Sequence, residues 1–103
     1  MSVKGDCFGN VMQAITRYPD AKIVHGSVRV SGTSNRFHHA WIETNGHVID
    51  PTTNVTMNKQ YWYARLNAKP ESKYTKTEAQ INMLRFRHMG PWSSRSAKHI
   101  GSR

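Results

Sequence analysis

The dipeptide Asn45-Gly46 stands between two runs rich in apolar and β-branched residues, 36–43 and 47–50. It constrains the fold more than any other feature of the chain. Both residues tolerate positive φ, as a two-residue turn between twisted strands requires, so the spacing predicts a β-hairpin closed at Thr44 and His47. The register then follows outward, with Trp41 opposite Asp50 and His39 opposite Thr52. Side chains alternate between faces, which puts His39, Trp41, Asp50 and Thr52 on one side of the ribbon. His39 and Asp50 become diagonal neighbours, close enough for polar side chains to meet. A loop of odd length would reverse the parity and bring His38 to that face instead.

The other elements are read by periodicity. Phe8, Val11, Met12 and Ile15 recur at helical spacing over residues 7–16, with Asp6 as N-cap and Tyr18-Pro19-Asp20 as stop. Cys7 then occupies the first helical position. Residues 22–30 read as a strand with Val24, Val28 and Val30 on one face, and residues 31–35 as a flexible connection. The aromatic segment 58–66 reads as a further strand and residues 69–73 as a polar link. Thr75 and Glu78 have capping-box spacing, so a last helix begins there. Its apolar stripe is Ala79, Met83 and Phe86, with Leu84 beside it, and Gly90-Pro91 stops it. The fold class expected is α+β: an N-terminal helix packed on an antiparallel sheet of three to four strands, with a C-terminal helix. Residues 1–92 read as one domain and residues 93–103 as a basic, flexible tail.

Charge and cysteine usage bound the setting. The 103 residues carry 15 Lys+Arg against 6 Asp+Glu, a formal net charge of +9. Such a balance favours acidic or polyanionic partners. No acid follows Glu78, whereas Arg85, Arg87, Arg95, Lys98 and Arg103 do. Those five residues are the candidate nucleic-acid contacts if the chain is a basic, non-catalytic inhibitor or nucleic-acid-binding module. No apolar run reaches the length of a membrane span, and residues 1–6 lack the apolar core of a secretory signal. With the single cysteine, Cys7, these features lead to an expectation of a cytoplasmic protein without disulfides or membrane contact.

Chemistry enters with three side chains. A carboxylate beside an imidazole holds one ring nitrogen protonated and frees the other to exchange a proton. Cys7 at a helix N-terminus faces free N–H groups and the positive end of the helix dipole, both of which favour a thiolate. Cys7 as nucleophile, His39 as base and acid, and Asp50 as orienter would together attack a carbonyl carbon. The oxyanion would be held by the Cys7 N–H and an amide donor on the same helix, Asn10 or Gln13, with Trp41 shielding the site. Each residue also has a plain reading: an inert buried thiol, a structural histidine, a turn-forming aspartate before Pro51.

The order Cys7-Phe8-Gly9-Asn10, Val24-His25-Gly26, His39-Ala40-Trp41 and Ile49-Asp50-Pro51-Thr52 resembles papain-like cysteine proteins of the transglutaminase-like kind. The likeness is nearest to small uncharacterised phage and bacterial proteins, and it spans about half the chain. It implies a minimal helix-on-sheet core and the same three roles for Cys7, His39 and Asp50. It further implies peptidase, amidase, deamidase or acyl-transfer activity on an amide, with a protein or peptide substrate that includes host proteins if the chain is phage-encoded. Transfer to an amine, as in crosslinking or deamidation of protein glutamine, is the third reading. No cofactor is expected. The six histidines show no metal-ligand spacing, and the seven glycines form no phosphate-cradling pattern.

Overall fold

The computed structural model describes residues 7–29, 32–88, 90 and 92. The described chain is α+β: α1 (Cys7–Ala14), β1 (Lys22–Arg29), β2 (Arg36–Thr44), β3 (His47–Asp50), β4 (Val55–Asn58), α2 (Lys59–Leu66), β5 (Lys69–Thr75) and α3 (Lys76–Phe86). A 3-10 turn over Ile15–Arg17 extends α1. The strands form one antiparallel sheet in the order β4-β3-β2-β1-β5. No helix among the described residues is long and apolar enough to cross a membrane.

Strand alternation gives the sheet two faces, each with its own core. On one, Ile23, Ala40, Ile42 and Tyr74 pack with Cys7, Val11, Met12 and Ile15 of α1 and the 3-10 turn, and with Ala79 of α3. The stripe read from α1 is the stripe buried. On the other face, Val24, Trp41 and Val48 pack with Trp62 of α2. The hairpin closes as its turn requires, with φ of 51° at Asn45 and 78° at Gly46 and with Thr44 paired to His47. Thr75 caps α3 in a reciprocal capping box with Glu78. That helix ends at Phe86, before Gly90, because Arg87 adopts the left-handed conformation and donates its N–H to the Met83 carbonyl. Leu84 is exposed, while Ala79, Met83 and Phe86 face the core.

The sheet has five strands, not three or four. Segment 58–66 is mostly helix: Asn58 caps α2 by accepting the Tyr61 N–H, and only Trp62 is buried. Segment 69–73 belongs to an edge strand, where Pro70 is tolerated because an edge position can forgo an N–H. The proposed cap Asp6, the position Val30, Pro91 of the helix stop and the basic tail 93–103 lie outside the described residues.

Candidate active site

The hairpin builds one half of the site. Its register, Ile42 with Ile49 and Glu43 with Val48, carries Trp41 to the level of Asp50. His39 lies beyond the last pair, where β2 no longer has β3 beside it. The His39 Nε2 and Asp50 Oδ2 are 2.8 Å apart. Asp50 is 1% exposed, and its Oδ1 accepts the Thr52 N–H at 3.1 Å. A carboxylate can only accept, so Nε2 carries the proton and Nδ1 faces the remaining partner. That partner is Cys7, whose thiol is hydrogen-bonded to the His39 side chain. His38, next along the strand, is exposed on the opposite side.

The helix supplies the other half. Cys7 is the first residue of α1 and is 5% exposed. Asn10, one turn later on the same face, donates from Nδ2 to Thr52 Oγ1 at 3.0 Å. The contacts Asn10–Thr52–Asp50–His39–Cys7 therefore form a circuit that leaves α1 and returns to it.

Burial and charge act on His39 in opposite directions. Desolvation is the largest influence and lowers its pKa. The hydrogen bonds and charges of Asp50 and Cys7 outweigh it and push the value up to about 9. Behind the imidazole lie two indoles, Trp41 and Trp62, with ring centroids 6.1 and 6.4 Å away and planes inclined by 29° and 23°.

Trp41, Asn10 and Gln13 are the other residues expected at the site. Trp41 is fully buried, donates its Nε1–H to Glu43 Oε2 at 3.0 Å and forms the floor under His39. Asn10 donates one amide hydrogen to Thr52 and so ties α1 to the segment that carries Asp50. Gln13 is exposed and lies six residues beyond Cys7, ~9 Å along the helix axis. It lines a shallow cleft with Asn10, Ala14, Arg17 and Pro51. Of the alternative basic contacts, Arg85 and Arg87 are exposed at the end of α3, and Arg95, Lys98 and Arg103 lie outside the described residues.

Sequence reasoning missed the support beneath the site. Glu43 is buried and accepts from Trp41 and from the Tyr63 hydroxyl, and its Oε1 lies 3.3 Å from both Lys59 and Lys73. Burial would raise its pKa, but the Tyr63 and Trp41 hydrogen bonds and the two lysines prevail and lower it. The carboxylate thus stays ionised and anchors Trp41. Its place opposite Lys22 on β1 and Val48 on β3, in the middle of the sheet, was the available signal. Trp62 was hidden by the reading of its segment as a strand.

A scan against protein-family models and searches of curated proteins and of solved structures found no match to this chain.

Proposed function

We propose that the protein is a small cysteine hydrolase or acyltransferase of the papain-like, transglutaminase-like kind, acting on the carbonyl of an amide. The observation that carries this reading is the continuous contact from the Cys7 thiol through the His39 ring to the Asp50 carboxylate. The Cys7 proton passes to His39 Nδ1, giving a thiolate and an imidazolium whose charge Asp50 balances. The sulfur adds to the carbonyl carbon. The oxyanion meets the N–H groups of the first turn of α1, which have no acceptor within the helix. Collapse breaks the C–N bond, His39 returns its proton to the leaving nitrogen, and an acyl thioester remains on Cys7. Water, deprotonated by His39, then attacks that thioester, and the carboxylic acid leaves with the thiol restored. An amine in place of water gives acyl transfer. The setting that suits one reduced thiol is a cytoplasm, and a phage-encoded chain would meet host proteins there.

The test is covalent labelling. Iodoacetamide and an acyloxymethyl-ketone peptide should modify Cys7 rapidly in the native protein, and His39→Ala should slow both by roughly 10²-fold or more. Modification of the native protein no faster than of the urea-unfolded chain would remove the nucleophile and the proposal with it.

A further inference from the structure

Beside the site lies a cleft of about 510 Å³ between Arg29 with residues 32–34 and the end of α2. Arg29, Thr33 and Ser34 line it on one side, and Ala64, Arg65 and Leu66 of α2 on the other. No acidic side chain and no aromatic ring among the described residues lines it. Among the described residues, neither arginine is ion-paired with a carboxylate. Its walls are tied together by Arg36, which donates from Nη2 to the Asn67 carbonyl at 2.7 Å and from Nε to Ser27 Oγ at 3.0 Å. At the end of α2 the Ala64 and Tyr63 carbonyls accept the N–H groups of Asn67 and Ala68. Those oxygens are therefore already engaged, which limits the repulsion the helix end would offer an anion.

The cleft and the candidate active site share their supports. Arg29 pairs with Arg36 and Gly26 with His39 on the same two strands, a separation of three residues, ~10 Å. Along α2, Trp62 lies against the His39 ring and Leu66 lines the cleft, about one turn further on. Phe37 falls between them on the face of β2 that carries His39, and it is 55% exposed. A chain of two to three extended residues spans the interval between those two rows of the sheet.

We infer that this cleft is an anion-binding subsite that selects acidic peptides, those with Glu or Asp two to three residues from the carbonyl presented to Cys7. The inference rests on the function proposed above. Two arginines that have no carboxylate partner among the described residues are a receptor for carboxylate groups, and Ser34 brings a hydroxyl that can add a hydrogen bond. Phe37 offers the intervening residue an apolar surface. Among the described residues the lining of the cleft includes no ring, so a nucleic-acid strand would have to find its stacking outside it, on Phe37 or Tyr61.

The experiment uses the full chain and peptidyl acyloxymethyl ketones that differ only in Glu, Gln or Lys three residues from the electrophile. The Glu probe should label Cys7 about fivefold faster than the Gln probe, the factor expected of one well-placed exposed ion pair. Arg29→Ala combined with Arg65→Ala should bring that ratio close to one, and Arg65→Glu should favour the Lys probe. Equal Glu and Gln rates in the native protein, with iodoacetamide still modifying Cys7 rapidly, would overturn the subsite alone. Failure of every reagent, iodoacetamide included, would instead overturn the nucleophile on which it rests. Binding of a single-stranded oligonucleotide that is lost in the double variant would also overturn the assignment to peptides.

Discussion

Cys7 and Asn10, one turn apart on α1, hold opposite ends of a single hydrogen-bonded circuit: the thiol meets His39, and the amide meets the Thr52 that fixes Asp50. The helix that presents the nucleophile therefore also holds the group that orients its base. Any tilt of α1 would disturb both together, so the alignment of sulfur and ring is a property of one rigid element.

Asn10→Ala should accordingly slow Cys7 alkylation several-fold while lowering stability by only about 1 kcal/mol, the net worth of one hydrogen bond. Thr52→Val, which removes the same link from its other end, should give the same loss, and the double variant no more than either single one. Alkylation rates and urea titrations on the three variants check this. Additive losses would mean that the two residues act separately.

Asp50→Asn keeps the shape but removes the charge. The His39 value should fall from about 9 toward the ordinary 6.5, since burial, which opposes protonation, then meets only the thiol. Ring-proton NMR titration reads this directly. The linkage has a defined sign: a value raised on folding contributes stability that is complete below about 6.5 and is lost as pH rises through about 9. The variant should lose that alkaline dependence.

Much of the architecture was legible where a local rule has one solution. Asn45-Gly46 admits one turn, Thr75 and Glu78 one cap, and Phe8, Val11, Met12 and Ile15 one buried stripe. What stayed hidden was decided by neighbours distant in sequence. Tyr61-Trp62-Tyr63 has the composition of a strand, yet Asn58 caps it into a helix that needs only Trp62 inside. Residues 69–73 carry no apolar alternation, because β5 is an edge strand positioned by its ladder to β1. For the candidate site, the hairpin parity was sufficient to place His39 and Asp50 together. The role of Asn10 was not readable, because its partner Thr52 is 42 residues away.

Gly26 occupies the place on β1 where β5 crosses closest. A Cβ there would lie 2.1 Å from the Lys69 carbonyl oxygen and 2.9 Å from the Pro70 Cα, both backbone atoms. Neither can rotate aside. Gly26→Ala should destabilise the protein by about 1–3 kcal/mol through forced separation of β1 and β5. Because Gly26 pairs with His39 on its other side, Cys7 alkylation should slow as well. Urea midpoints and alkylation rates measured on one preparation test both effects.

His25 sets the acid limit. It is 4% exposed, boxed by the rings of Phe8, Tyr74 and Trp92 at centroid distances of 4.7, 5.0 and 5.1 Å. Among the described residues, neither of its ring nitrogens has a hydrogen-bond partner. Burial drives its value down from 6.5 to about 3. Tyr74, the titratable neighbour in the box, is itself pushed upward by burial and stays neutral in acid. The unfolded chain therefore takes up a proton below 6.5 that the native protein refuses. Stability present above that value is lost as pH falls toward 3, amounting to about 2–3 kcal/mol near pH 4.5. His25→Leu, which keeps the volume and removes the titration, should flatten the stability curve between about pH 6.5 and 4. Urea unfolding across that range measures the slope, and an unchanged slope would assign the acid limb to the carboxylates instead.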